Sequence, residues 1–275
     1  MSQDLDPILF LEPSRLVLPD PWAGHIPFAF WLVKLLQAEL IVELGTHTGN
    51  SACAFAHAQD YLDIDGETHA IDTWEGDEYS GFYEKDVYEG LLAFSRSNFN
   101  GRLQLRRSPF QDRVADYENE SIAILHIDGS HAYEDVRRDF LAWREKVAPD
   151  GVILIHDVAV TQDRFGVRRF WREVAGEESS FELPGSYGLG VLMPGPEPHP
   201  TLARMAEEGA PTELLRFLSD RRDHWSLRLY LEDQLLAIRS ELTARREPIP
   251  KAKPPPAPTS QPSSIRKFFS RSREN

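Results

Sequence analysis

The chain has 275 residues, 41% of them hydrophobic, and 30 Lys and Arg against 44 Asp and Glu, for a formal net charge of −14. That composition supports one core of roughly 200–250 residues plus an appendage, and so acidic a balance excludes a general nucleic-acid binder, whose affinity rests on Lys and Arg neutralising phosphates. The lone Cys53 excludes a disulfide framework and a multi-cysteine metal site and suits a reducing, cytoplasmic setting, while no run of about 18 apolar residues offers a membrane span.

In chain order, an N-terminal segment (1–24) without a secretory-signal pattern leads into an amphipathic helix over 20–38, with Pro27 near its start. Short apolar runs follow at LIVELG (40–45), ETHAIDTW (67–74), LQLRRS (103–108), IAILHIDG (122–129) and GVILIHDV (151–158). They are rich in β-branched residues and read as strands buried on both faces, as in a parallel sheet. Helical segments at 50–59, 84–99, 110–117 and 132–147 lie between them, with another at 164–175, and SFELPG and GLGVLMPG close the sheet as a hairpin. Strand alternating with helix predicts a doubly wound α/β sheet.

Residues 201–247 read as one or two helices, with leucines from Leu214 to Leu236 at mixed three- and four-residue steps among charges. They are expected to pair with the core or with a second subunit. The last 28 residues, 248–275, hold seven of the 20 prolines and six basic residues against one acid. Their net charge is +5, leaving −19 for the rest, and they read as a disordered polyproline tail. Ile265, Phe268 and Phe269 in its basic end suggest a weak contact with a membrane or a partner.

VELGTHTGNSA has the form strand, tight turn, helix. Gly45 and Gly49 let the backbone turn sharply and a ligand come close. The spacing is neither that of a dinucleotide site nor that of a phosphate loop, and Glu43 before the first glycine points to a ligand with a cationic end. Asp72, at the tip of the second strand, can accept from both hydroxyls of a ribose.

With AIDTWEGD, RRSPFQD, LHIDGSHAYEDVRRD and PDGVILIHD, these motifs resemble the class I S-adenosylmethionine-dependent methyltransferases over about 25–195. The similarity is to the branch of macrolide-sugar O-methyltransferases and cephalosporin-hydroxylase-like proteins. The resemblance implies a seven-stranded Rossmann-like sheet of order 3-2-1-4-5-7-6 with the seventh strand antiparallel; the helical extension (196–247) and the tail follow it. It implies that Glu43, Gly45, His47, Gly49 and Ser51 cradle the amino-acid part of the cofactor, that Asp72 holds the ribose, and that Ser108, Phe110 and Gln111 border the adenine, with Asp128 alongside.

In an open parallel sheet, ligands bind beyond the carboxyl ends of the strands. Asp128-Gly129-Ser130-His131 and His156-Asp157 should therefore meet over one crevice. Asp128, His156 and Asp157 offer two carboxylates and an imidazole to a divalent metal. By the resemblance these positions hold magnesium through oxygen ligands, so either His156 turns away and water fills its place, or the site takes a softer ion such as manganese or iron. By the resemblance, His131 is the general base and Asp128 its catalytic neighbour. The blander alternatives are a surface-loop His47, a packed His156, a turn-capping Asp157 and a His131 exposed at a helix start. The loop 74–88 reads as a lid in which Trp74, Tyr79, Phe82 and Tyr83 stack on a sugar while Asp77 and Glu78 bind hydroxyls, and His25 is placed near the pocket by analogy. These features together lead to a metal-assisted O-methyltransferase acting on a small-molecule or glycan acceptor. A non-catalytic scaffold in a glycan or natural-product assembly is the alternative from another class, and an oxidoreductase a third.

Overall fold

The computed structural model describes residues 5–77, 81–83, 85–163 and 165–244. The apolar runs form β1 (Leu40–Leu44), β2 (Glu67–Asp72), β3 (Leu103–Arg107), β4 (Ile122–Ile127) and β5 (Val147–His156), all parallel. The closing hairpin supplies β6 (Ser179–Leu183) and β7 (Leu189–Met193), and β7 runs antiparallel to both β5 and β6. The seven strands lie in the order β3-β2-β1-β4-β5-β7-β6, the Rossmann-like methyltransferase arrangement that the resemblance implies.

Successive side chains on the central strands enter opposite cores. Ile41, Ile124 and Leu154 belong to one apolar cluster and Val42, Leu125 and Ile155 to another, as period-two alternation requires of a sheet covered on both faces. Helix α1 (Ile26–Leu36) belongs to the first cluster, to which α2 (Asn50–Tyr61) also contributes. After α3 (Lys85–Asn98), helices α4 (Tyr133–Trp143) and α5 (Val167–Ala175) cover the second. Helix α6 (Pro200–Glu208) and helix α7 (Thr212–Ala244) follow the sheet.

The helical segment expected over 110–117 is a 3₁₀ helix over Phe110–Asp116, none of whose residues is buried. Two expectations need correction. The helical segment expected over 132–147 is α4 followed by a 3₁₀ turn at Arg144–Lys146, and β5 begins at Val147, four residues early, across a register irregularity between Ile122 and Ile124. The segment after β2 contains a two-stranded ladder, Gly76–Asp77 with Gly81–Phe82.

The chain divides into two compact units, residues 1–233 and 234–275. In the first, α7 buries Leu214, Leu218, Trp225 and Leu229. The described part of the second is the end of α7, where Leu235, Leu236, Ile238 and Leu242 are exposed. The tail over 248–275, with Ile265, Phe268 and Phe269, lies outside the described residues, as do Glu78 and Tyr79 of the expected lid.

Gly45 has φ 90°, and a Cβ there would lie 2.1 Å from the Asp128 carbonyl oxygen. Gly90 lies inside α3 with nothing within 4 Å of a built Cβ. Opposite outcomes are expected. Gly45→Ala should lower stability by at least about 1–3 kcal/mol through backbone strain alone. Gly90→Ala should raise it by roughly 0.5–1 kcal/mol. Urea unfolding monitored by circular dichroism measures both.

Candidate active site

The carboxyl ends of β1 to β5 open into a crevice of about 510 Å³, within the range of sites for cofactor-sized ligands. The first turn contributes Gly45, Thr46, His47, Asn50 and Ser51, and the tip of β2 contributes Asp72 and Thr73. Phe110 and Gln111 follow β3, Asp128 to His131 follow β4, and His156 and Asp157 end β5.

Backbone geometry brings these tips together. The Asp128 N–H donates to the Leu44 carbonyl (2.8 Å) and the Gly45 N–H to the Ile71 carbonyl (2.9 Å). Asp72 then ties the turn down. Its Oδ2 accepts from the Thr46 and His47 N–H groups at 2.8 and 3.0 Å, and its Oδ1 from the Trp74 N–H at 2.7 Å. A carboxylate has about four lone-pair sites, so Asp72 keeps acceptor capacity toward the crevice. Gly49, at φ 84°, starts α2, and a Cβ there would strike Leu91.

The acids at the β4 and β5 tips lie around two imidazoles. His131 Nε2 lies 2.9 Å from Asp157 Oδ2, and its ring stacks on Phe165 at 4.6 Å. His156 Nδ1 lies 3.3 Å from Asp128 Oδ1 and 3.5 Å from Asp157 Oδ1. Burial opposes charge on His156, but the two carboxylates overcome it and push the imidazole up to about 10. Burial likewise works against ionised Asp128 and Asp157. The field of His156 on Asp128, and the hydrogen bonds of His131 and His156 on Asp157, hold both below the usual carboxylate range.

One ligand atom each from Asp128, His131 and Asp157 falls within a 4.8 Å group. This group has His131 where the expected metal set of Asp128, His156 and Asp157 has His156. His156, only 3% exposed, faces the two carboxylates as a proton donor, and His131 is the imidazole grouped with them. Asp128 and Asp157 offer two carboxylates that a divalent ion would use, with the His131 imidazole beside them.

Other expected residues divide. Gly45, His47, Gly49, Ser51, Asp72, Phe110, Gln111 and Asp128 come together at the tips or on the turn that shapes them. Glu43 does not reach the crevice. It is fully buried with Oε2 2.8 Å from His126 Nδ1, and the Trp22 indole N–H donates to His126 Nε2 at 3.1 Å. An indole can only donate, so the proton of this imidazole sits on Nδ1 and faces Glu43. Ser108 is also absent from the walls, its N–H donating to the Asp72 carbonyl at 2.9 Å. Trp74 is buried and donates to the His47 carbonyl, so it stacks on no ligand. Tyr83 does line the crevice and stacks on His47 at 4.1 Å, whereas Phe82 is exposed. His25 packs edge-on against His156 below the crevice, and burial pushes it down to about 3.

Sequence reasoning missed a whole wall. Pro19, Pro21 and Trp22 line the crevice on a strap that Asn50 holds in both directions. Asn50 Oδ1 accepts from the Val17 N–H at 3.0 Å, and its Nδ2 donates to the Val17 and Pro19 carbonyls at 2.8 and 3.2 Å. Arg15 Nε donates to the Thr48 carbonyl at 2.8 Å. The Pro-Asp-Pro-Trp run at 19–22, stiff and ending in an aromatic, was the available signal. Gln162, Phe165 and Tyr187 close the opposite side.

Residues 42–158 match the family model described as a methyltransferase domain. The chain is 39% identical over 196 residues to "Uncharacterized protein y4gI" of Sinorhizobium fredii (strain NBRC 101917 / NGR234), a stretch covering 71% of this chain and 22% of that protein. The chain thus spans about a fifth of the length of the curated relative it matches. Among solved structures, it is similar to the O-methyltransferase TomG from Streptomyces achromogenes in complex with SAM, at 18% identity and TM-score 0.48, covering 65% of this chain and 82% of that one. It is also similar to an O-methyltransferase from Bacillus cereus in complex with SAH, at 21% identity and TM-score 0.46, covering 66% and 83%. The stretch that matches the methyltransferase-domain model, residues 42–158, spans β1 to the tip of β5 on the Rossmann-like sheet. Among the described residues, no helix is long and apolar enough to cross a membrane.

Asp139, 1% exposed at the crevice edge, accepts from Gln111 Nε2 at 2.6 Å. Burial raises its carboxyl from 3.8 to about 6 against the pull of Arg138 and Gln111. A raised carboxyl binds its proton more tightly in the folded chain. Its stability cost is therefore absent below about pH 4, grows as pH rises to about 6, and is complete above that. Asp139→Asn keeps the acceptor and removes the charge. The variant should be more stable than the parent above pH 6, by up to about 3 kcal/mol, and match it near pH 3.5, as measured by thermal unfolding across pH.

Proposed function

We propose that the chain transfers a methyl group from S-adenosylmethionine to a hydroxyl of a sugar, a glycan or a sugar-bearing natural product, with a divalent metal assisting. The observation that carries this reading is the grouping of Asp128, His131 and Asp157 beside the Gly45–Gly49 turn in one crevice.

The crevice suits the cofactor in size and charge. Asp72, Asp128 and Asp157 line it, which favours a ligand bearing an ammonium and a sulfonium. What S-adenosylmethionine supplies when bound is an electrophilic methyl group. The chain's residues do the rest. Asp72 retains acceptor capacity for a ribose, and Phe110 packs against Gly129 to make a flat apolar border for a base.

A sugar hydroxyl is a weak acid and needs help to become a nucleophile. Asp157 holds His131 Nε2, so Nδ1 is the basic nitrogen of that ring, and Phe165 fixes its plane. Where a divalent ion is held by Asp128 and Asp157, it supplies Lewis acidity to the acceptor oxygen. The aromatic faces of Trp22, Tyr83, Phe165 and Tyr187 among the carboxylates form the mixed lining that a sugar requires. A cytoplasmic setting accords with the free, buried Cys53.

Calorimetry of the full chain with S-adenosylmethionine tests the cofactor, and release of S-adenosylhomocysteine across a panel of glycosides tests the acceptor. Micromolar-range binding is expected. His131→Ala should keep that binding and lose roughly 10²–10⁴-fold in turnover, whereas a scaffold role would leave the variant silent. EDTA should abolish turnover and manganese restore it. A folded chain that binds no cofactor refutes the enzyme reading, and undiminished turnover after EDTA refutes the metal's part.

A further inference from the structure

Helix α7 carries a second apolar stripe that the sheet does not use. Leu227, Leu231, Leu235, Ile238 and Leu242 recur at steps of four, four, three and four and are each at least 50% exposed. At 3.6 residues per turn they fall within roughly 80° of arc. From Leu231 onward the steps are those of a heptad seam, with Leu231 and Ile238 at d and Leu235 and Leu242 at a. Four layers at 1.5 Å per residue span about 17 Å. Residues 235–243 are exposed all round, and a helix end of that kind is marginal in water without a partner.

We propose that this stripe is a dimerisation seam, and that its occupant is the same stretch of a second copy of this chain running antiparallel. An antiparallel seam puts each a residue against a d residue. Here that sets Leu235 on Ile238 and Leu231 on Leu242, so the four layers are self-complementary about a two-fold axis. The flanking charges agree. At the e positions, Glu232 of one copy faces Arg239 of the other, and the two-fold axis repeats that attraction. At the g positions, Gln234 faces Glu241, which sets no like charges together. A parallel arrangement would place Glu232 beside Leu227 and Arg239 beside Gln234, so it loses both Glu232–Arg239 pairs. The mixed signs beside the seam also weigh against a lipid surface as the occupant, because helices that lie on membranes carry a polar face rich in Lys and Arg.

Light scattering behind size exclusion tests the association on the full chain. At micromolar concentration the mass should be twice the 31.4 kDa of one chain. Leu235→Glu with Ile238→Glu should halve it while leaving the melting temperature of the domain unchanged, since both side chains are exposed. Orientation is read by disulfide trapping. Leu235→Cys mixed with Ile238→Cys should give the mixed crosslink in preference to either homodimer. A chain that stays monomeric at about 100 μM overturns the proposal, as does preferential homodimer trapping of Leu235→Cys, which signals a parallel pair. A monomer that pellets with phosphatidylcholine–phosphatidylserine vesicles and loses that on the double Glu substitution also overturns it, in favour of a lipid contact.

Discussion

The crevice depends on one close approach. Gly45 lies so near the tip of β4 that a methyl group there would overlap the Asp128 carbonyl. That approach draws the first turn and the Asp128–His131 segment into one wall, and the Leu44 carbonyl pairs with the Asp128 N–H to hold it. Asp72 adds a second tie from the other side by gathering three backbone N–H groups, two of them from the turn. The same carboxylate thus shapes the loop and faces the cavity. His47 and Asp157 sit at positive φ of 49° and 65° on opposite sides of the opening. Non-glycine residues tolerate such angles where surrounding contacts over-determine them, and these positions cluster at functional sites.

The sheet is legible in the sequence because its signal is local and repeated. Runs such as IAILHI and GVILIH alternate between two apolar cores, and no single side chain has to be placed correctly for the pattern to show. The turn at Gly45–Gly49 is legible for the same reason, since its glycines mark backbone angles other residues resist. The partners of single polar side chains are not legible. Glu43 reads as a crevice acid by its position at a strand end, yet one residue of register turns it toward His126 on the neighbouring strand. His156 and His131 both lie at strand tips, and only the fold shows that His156 lies beneath the carboxylates while His131 stands beside them. The strap at 15–22 is invisible to periodicity because it has none. Its place comes from hydrogen bonds to Thr48 and Asn50, more than 30 residues away.

Neighbouring histidines show how the floor of the crevice is charged. The rings of His25 and His156 lie 5.6 Å apart, both nearly inaccessible to water, so desolvation presses both toward the uncharged form. His25 yields and falls to about 3. His156 rises to about 10 because Asp128 and Asp157 lie within 3.5 Å of its Nδ1. A cation on His156 adds to the burial in suppressing charge on His25, so the two outcomes are linked. The carboxylates are held ionised in turn, and one buried imidazolium cannot neutralise both. Together with Asp72, the strand tips present an excess of negative charge to the crevice, and the burial of Asp72 and Asp157 strengthens its field. A ligand bringing positive charge removes that excess, and a phosphate would worsen it. The absence of a phosphate-loop lysine after Gly49 in the sequence and the carboxylates at the strand tips are consequences of the same preference.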